Sequence, residues 1–207
     1  MTGAGTSTEP HPGLYWHRSF DIALGLSALS WAGLGLTAET GRPLSVRIAL
    51  AALNITVAAL FLFRTEARLQ PGLRAMLAAL PSMVCAGAAI KFARQWHPVA
   101  EVLFTLGASG AVVSLCALGR SFAFFPAKRG LVERGPYRWL RHPAYAAELL
   151  MVLACALVAP WPSAPLALGA AAFVGLRIRA EERLLSTDDD YQAYCKRVRY
   201  RLIPPVW

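Results

Sequence analysis

Long apolar stretches alternate with short polar segments along most of this chain. Six of them approach the roughly 20 residues that an α-helix needs to cross the hydrocarbon core of a bilayer. They cover residues 20–38, 46–63, 73–92, 99–118, 144–159 and 165–178. The pattern predicts an all-α fold: a polytopic transmembrane helical bundle of about six spans, with a cytoplasmic C-terminal helical segment.

Proline and glycine refine this picture. The last two spans are joined by Pro160-Trp161-Pro162-Ser163-Ala164. Because prolines so closely spaced cannot continue a helix, we predict a tight helical hairpin with Trp161 at the membrane interface. Pro81 predicts a kink in the third span. Gly107 and Gly110 predict close packing of the fourth span against a neighbour.

The same pattern divides the chain into three parts. We expect a polar N-terminal tail over 1–19, four transmembrane helices over 20–118, and a third region over 119–207 that contains the hairpin (144–178) and a C-terminal segment. The tail lacks the basic and apolar regions of a cleavable signal, so the first span is expected to direct insertion.

Composition agrees with a membrane protein. Hydrophobic residues make up 56% and charged residues 16% of the 207 residues, against about 25% charged residues in soluble domains. The mean hydropathy is +0.44. Four scattered cysteines show no CxxC spacing, so we expect neither a disulfide framework nor a metal site.

The net charge of +9 is distributed unevenly. With six spans, all Lys and Arg residues except Arg42, Arg47, Lys91 and Arg94 fall on the side of the N-terminus. The positive-inside rule therefore predicts that both termini are cytoplasmic, in a bacterial inner membrane or its equivalent. It also accounts for the basic charge without a nucleic-acid partner. Membrane lipids are the expected surroundings, and the pattern carries no signal of oligomeric state.

A polar block at 130–145 interrupts the apolar pattern and continues to Glu148. Tyr137, Arg141, Tyr145 and Glu148 would share one face if the block were helical. Because Pro143 disfavours helix at the preceding residue, we expect the helix to begin near Pro143. Glu148 would then lie about one turn inside the membrane, where it needs a cation: a bound ammonium, Arg141 or Arg177.

A second polar block, 177–183, follows the predicted hairpin and contains Glu181 and Glu182. Adjacent helical side chains point about 100° apart, so one carboxylate would face a given pocket and the other would not. The alternative to a ligand site is that both glutamates lie at an ordinary helix end exposed to solvent. His142, where the helix begins, would donate to a carboxylate or phosphate, or shuttle a proton. His97 shows no functional signal.

The C-terminal residues suggest two smaller features. Asp188-Asp189-Asp190 is expected to cap a short helix that carries Tyr191 and Tyr194. Basic and aromatic residues that follow predict an interfacial anchor to anionic lipid: Arg197, Arg199, Arg201 and Trp207.

These blocks resemble the isoprenylcysteine carboxyl methyltransferase and phospholipid methyltransferase superfamily of integral-membrane enzymes. That superfamily has the pattern G-P-Y-x-x-x-R-H-P-x-Y before a hydrophobic hairpin and E-E after it. The residues here are Gly135-Pro136-Tyr137-Arg138-Trp139-Leu140-Arg141-His142-Pro143-Ala144-Tyr145 and Glu181-Glu182. Tyr191, Tyr194 and the stretch Arg201-Leu202-Ile203-Pro204 are similar to its C-terminal elements, so the resemblance covers about 118–207.

The resemblance implies a methyltransferase with a cytoplasmic pocket for S-adenosyl-L-methionine and a lipophilic or lipid-modified acceptor that enters from the bilayer. It implies that His142, Tyr145 and one of Glu181 or Glu182 hold the ammonium and carboxylate of the cofactor, within a pocket that also includes Arg141 and Pro143. The residues that would border the cofactor are Leu131, Val132, Gly135 and Tyr137. Arg177 or Arg179 would orient an anionic acceptor, with Glu148 as a further catalytic candidate.

Two alternatives remain open. R-H-P-x-Y-x-x-E with a C-terminal R-x-I-P is also similar to membrane sterol reductases, which bind NADPH. Arg129, Arg134 and Arg138 would then bind the 2′-phosphate. The sequence also departs from the methyltransferase pattern, because residues 186–190 stand where an F-G-x-x-Y stretch often follows the Glu pair in those enzymes. The other alternative is a non-catalytic lipid-binding protein with the same fold.

Overall fold

The computed structural model describes residues 13–38, 41–63, 73–119, 131–205 and 207, with side chains from residue 18 and, in the third helix, from residue 80. These residues form α-helices and connecting turns, without a strand among them. The helices are α1 (Gly13–Thr37), α2 (Leu44–Phe63), α3 (Leu73–Phe92), α4 (Pro98–Leu118), α5 (Pro143–Val158), α6 (Pro160–Leu185) and α7 (Asp189–Arg197). The predicted all-α class is confirmed.

Among the described residues, four helices are long and apolar enough to cross a membrane: α1 from Arg18, α2, α4 and α6. The described part of α3 and the whole of α5 are shorter apolar helices. Large apolar side chains cover the outside of the bundle, where Trp31 is 65% and Leu168 75% exposed. Such a surface fits hydrocarbon rather than water, so the chain is a multi-pass membrane protein. Its orientation in the membrane stays a prediction.

The helices pack as antiparallel pairs. In the α3–α6 pair, Arg177 donates to Ser82 Oγ at 2.9 Å, whereas the earlier Ser163 donates to the later Ala89 carbonyl at 3.5 Å. α1 packs against α2 and α4 against α5 in the same antiparallel manner. One apolar core contains residues from each of the helices α2, α3, α4, α5 and α6. Its buried members include Val46, Ala86, Phe104, Met151, Val152 and Ala170.

This arrangement brings the start of α5 and the end of α6 to the same end of the bundle. The turn between these helices is tight, as predicted, because α5 ends at Val158 and α6 begins at Pro160, with Trp161 outside helical geometry (φ −116°, ψ 109°). The predicted start of the sixth span at residue 165 was wrong. The first turn of a helix needs no backbone donors, so Pro162 fits within it, whereas Pro165 lies inside the helix.

The other end of α6 also differs from the prediction. The helix runs to Leu185 and not to residue 178, so both glutamates of the second polar block lie on its final turns. Arg and Glu are good helix formers, and the helix therefore continues past the apolar stretch. α1 likewise begins at Gly13, before the predicted start at residue 20.

The starts of α4, α5 and α7 are each marked by a capping side chain or a proline. Asp188 caps α7 by accepting a hydrogen bond from the Asp190 amide at 3.1 Å, as expected. α5 begins at Pro143, again as expected. His97, which shows no functional signal in the sequence, has a structural role, because its Nδ1 accepts from the Ala100 amide and caps α4. Pro81 lies inside α3, and the predicted kink there stays a prediction.

Gly107 provides the closest contact between α4 and α5. A Cβ atom at this position would lie 2.8 Å from Met151 Cγ and 3.0 Å from the Ala147 carbonyl oxygen. We expect Gly107→Ala to destabilise the protein by about 1–3 kcal/mol through overpacking. Thermal unfolding in detergent, followed by tryptophan fluorescence, measures the change.

Gly110→Ala is the matched control. Its Cβ would meet only the Ala147 Cβ, at an ordinary 3.6 Å. Since Ala favours helix over Gly, this variant should be neutral or slightly more stable. Equal destabilisation by both substitutions would contradict a specific contact at Gly107.

Candidate functional site

Glu182, near the end of α6, is the centre of a polar cluster that joins three segments of the chain. Its Oε1 accepts from Arg141 Nη1 at 2.9 Å and contacts His142 Nε2 at 3.3 Å. Its Oε2 accepts from Arg201 Nε at 2.8 Å, and this hydrogen bond raises the pKa of Arg201. Both carboxylate oxygens are therefore bonded within the protein.

The C-terminal segment completes this cluster through its backbone. The Arg141 amide donates to the Tyr200 carbonyl at 2.9 Å, and the His142 amide to the Arg201 carbonyl at 3.0 Å. The Arg201 guanidinium also stacks over Trp207, 5.4 Å from the ring centroid. These two backbone hydrogen bonds fix the backbone just before α5, and the Arg141 and His142 side chains contact Glu182 from there.

Two of the arginines predicted to form a lipid anchor also have partners within the protein. Arg201 binds Glu182, and Arg197 forms an ion pair with Glu133, so both side chains are engaged by the protein. These contacts do not test binding to anionic lipid, so the anchor stays a prediction. Arg199 is exposed, and its role at the interface stays a prediction.

Glu181 faces a different neighbour from Glu182. It accepts a hydrogen bond from the Tyr145 hydroxyl at 2.9 Å, and the structure shows no second bond to it from the described residues. The divergence of the two carboxylates agrees with the 100° expected for adjacent helical residues. Glu181 therefore has free acceptor capacity beside an aromatic ring, whereas Glu182 has little.

Tyr145 connects this cluster with a second one that lies deeper in the bundle. Its ring stacks with His142 at 5.7 Å between centroids, and the Arg177 guanidinium lies 4.8 Å from the same centroid. Arg177 is only 3% exposed. It donates to Ser82 Oγ and lies 3.8 Å from Glu148 Oε2. Of the two arginines weighed as partners for Glu148, Arg177 is the one that forms the ion pair.

A short 3-10 helix, Gly135–Arg138, carries the first residues of the motif. Gly135 has φ +60°, a left-handed conformation that favours glycine, and an added Cβ would lie 3.2 Å from Ala117 in α4. The Tyr194 hydroxyl of α7 donates to the Tyr137 carbonyl at 2.7 Å. Burial raises the pKa of Tyr194, so its hydroxyl remains a donor at physiological pH.

Some of the predicted site residues lie apart from these contacts. Arg179 is exposed on α6, about 200° around the helix from Arg177. Leu131 is exposed and Val132 half-buried, before the 3-10 helix. The buried group comprises Tyr137, His142 and Pro143, with Arg141, Tyr145, Glu148, Glu181 and Glu182 partly buried around it.

Two contributors were not predicted as site residues. Ser82 binds Arg177, but a lone serine in an apolar helix gives no signal by itself. Arg201 was recognised as part of a motif, and its basic charge suggested lipid instead of Glu182. Complementary charge between the second polar block and the C-terminal segment could have indicated that pairing.

A comparison with known protein families gives one match, and it covers most of these polar residues. Residues 101–187 match the model of the isoprenylcysteine carboxyl methyltransferase (ICMT) family. The chain carries an ICMT-family segment. The resemblance inferred from the motifs is thereby confirmed. No curated protein gives a match.

The ICMT-family segment includes α4, α5 and α6, and with them every residue of the two polar clusters except Ser82 and Arg201. It spans less than half of the chain, and α1 to α3 and the C-terminal segment lie outside it. The match indicates a methyltransferase that works in a membrane. The ICMT-family segment thus supplies the carboxylates, and the C-terminal segment adds a cation that holds one of them in place.

The described residues do not assemble the arginine pocket that an NADPH phosphate would need. Arg134 donates to the Ala117 carbonyl at 3.0 Å, and Arg138 is exposed. Arg129 lies outside the described residues. Nothing in this geometry therefore favours the reductase alternative over a methyltransferase.

Proposed function

We propose that the protein is an S-adenosyl-L-methionine-dependent methyltransferase that acts on a lipophilic acceptor at the cytoplasmic boundary of the membrane. The observation that carries this proposal is the convergence of R-H-P-x-Y and E-E, within the ICMT-family segment, on hydrogen-bonded contacts. The cytoplasmic location rests on the distribution of Lys and Arg, and it places the site where a soluble cofactor is available.

The residues present fit such a cofactor. Glu181 has unused acceptor capacity and lies beside the Tyr145 ring, and both features suit an ammonium or sulfonium cation. Glu182 is saturated by Arg141, His142 and Arg201, so its role is to hold those side chains in place. We therefore assign Glu181 as the glutamate that contacts the cofactor.

We give the other site residues the roles that the family resemblance implies. Tyr137 and Gly135, with Leu131 and Val132, border the cofactor, and His142 and Tyr145 contact its amino-acid part. When bound, the cofactor supplies an electrophilic methyl group. Transfer then depends mainly on alignment with the acceptor, which the protein provides by holding both molecules. Arg177 and Glu148 form the polar site for the acceptor, on the bundle side of Tyr145.

Calorimetric titration of the detergent-purified protein tests this function against its alternatives. We expect S-adenosylhomocysteine to bind and NADPH not to bind. Binding of NADPH but not of S-adenosylhomocysteine would instead support the reductase hypothesis. Binding of neither compound would remove both enzyme readings and leave lipid binding alone.

His142→Ala should weaken S-adenosylhomocysteine binding by about 1–3 kcal/mol, the usual effect of losing a hydrogen bond to a charged group. The loss would appear in the same titration. His97→Ala is the matched control, because His97 caps α4 on an exposed surface and does not contact the polar clusters. Unchanged affinity in His142→Ala, or an equal loss in the control, would show that the cofactor binds elsewhere.

A further inference from the structure

Glu148 is a partly buried carboxylate, and its Oε1 atom is fully buried without a hydrogen-bond partner among the described residues. No group in the described part of the chain donates a hydrogen bond to its Oε1. Its Oε2 lies 3.8 Å from Arg177 Nη1, which is an ion-pair distance and too long for a hydrogen bond. Glu148 lies on the apolar helix α5, where water is scarce, so an unbonded carboxylate oxygen calls for an explanation.

Two nearby donors form hydrogen bonds with other groups. Arg177 Nη1 donates to Ser82 Oγ at 2.9 Å, and the Tyr145 hydroxyl donates to Glu181 at 2.9 Å. Both contacts are direct hydrogen bonds of ordinary length. Neither of these donors reaches Glu148 Oε1, so this oxygen can accept a hydrogen bond from a bound molecule.

Charge restricts the identity of that partner. Arg177 and Glu148 compensate each other, so the site offers no uncompensated positive charge to an anion. A carboxylate placed here would meet a second carboxylate in a medium of low polarity, where repulsion between like charges is strong. A hydroxyl or an amine would instead donate to the vacant oxygen.

We propose that Glu148 binds the polar head group of the lipophilic acceptor, and that this head group is an O–H or N–H donor and not a free carboxylate. The existence of such an acceptor rests on the proposed function. The assignment departs from the anionic acceptor that Arg177 alone suggested, because Arg177 is paired. It concerns binding: the hydroxyl or amine donates a hydrogen bond to Glu148 Oε1, and no covalent step is implied.

Competition in native mass spectrometry tests this assignment. The full chain, in detergent and saturated with S-adenosylhomocysteine, is offered equal concentrations of hexadecanol, hexadecylamine and palmitate. These probes share an alkyl chain and differ in the head group. We expect the alcohol, the amine or both to occupy the protein at least ten times more than palmitate. The ratio of alcohol to amine distinguishes the two donor classes.

Glu148→Gln removes the charge and keeps the shape of the side chain. We expect this variant to lose most of the preference, about tenfold, because the neutral amide attracts a donor less and no longer repels palmitate. Glu101→Gln is the matched control. It makes the same change at the opposite end of the bundle, where Glu101 is hydrogen-bonded to Ser45, and should keep the wild-type preference.

Two results would overturn the assignment. One is equal or greater binding of palmitate by the wild-type protein, which is decisive even if Glu148→Gln does not fold. The other is an unchanged preference in Glu148→Gln, which would show that water satisfies the vacant oxygen. Bound S-adenosylhomocysteine is seen as mass in the same spectra, so failure of the proposed function is recorded separately from failure of this inference.

Discussion

Replacing Glu182 by glutamine should lower the melting temperature by roughly 6–12 °C. The substitution removes the charge that compensates Arg141 and Arg201, with side chains of Arg141 and Glu182 only 12% and 15% exposed. Loss of one partner in a buried ion pair costs about 3–5 kcal/mol, because the other charge stays buried without compensation. Since this cluster is partly buried, we expect the lower end of that range. For a chain of this length, about 3 kcal/mol corresponds to that change in melting temperature.

Binding should be affected as well. Without the Glu182 carboxylate, the segment before α5 loses its link to α6, and His142 is no longer held beside Tyr145. We therefore expect weaker S-adenosylhomocysteine binding in Glu182→Gln, measured by calorimetry at a temperature where the variant remains folded.

Glu133→Gln is the control for charge removal alone. It breaks the ion pair with Arg197, in which the two side chains are 40% and 57% exposed. Exposed pairs contribute about 0–1 kcal/mol, so the melting temperature should change little. A similar decrease in both variants would contradict a special role for the Glu182 cluster.

The sequence predicted the helical elements well, because apolar length and proline placement are local signals. Pro143 specified the start of α5, and Pro160 with Pro162 specified the hairpin. The predicted sixth span ended at residue 178, since the charged continuation from Arg179 to Glu182 has no apolar pattern to mark how far the helix runs. Local composition therefore identified the spans but not where helix continues past the membrane.

The sequence predicted which residues belong to the site better than it predicted which of them form ion pairs and hydrogen bonds. The two polar blocks were recognised, yet the sequence left open which arginine binds which glutamate. That choice depends on helix rotation: Arg177 lies one turn before Glu181 on α6 and faces Ser82 and Glu148 across the α3 and α5 interfaces. Pairing of Arg201 with Glu182 depends on how the C-terminal segment folds back, and no short-range pattern encodes it.

Replacing Arg177 by methionine should destabilise the protein by about 3–5 kcal/mol, since it leaves Glu148 buried without its cation. Thermal unfolding in detergent measures the loss. Arg179→Met makes the same change on the exposed side of α6 and should stay within about 0.5 kcal/mol of wild type. If the two variants were equally stable, the buried ion pair would not stabilise the bundle.

The double variant Arg177→Met with Glu148→Leu separates stability from binding. Replacing a buried ion pair by apolar residues is often neutral, so most of the lost stability should return. S-adenosylhomocysteine affinity should stay close to the wild-type value, because Glu181 and His142 are retained. Preference for the hydroxyl or amine ligand should disappear, because its acceptor is gone. A double variant that is stable and still selects the same ligand would show that the pair serves the fold alone.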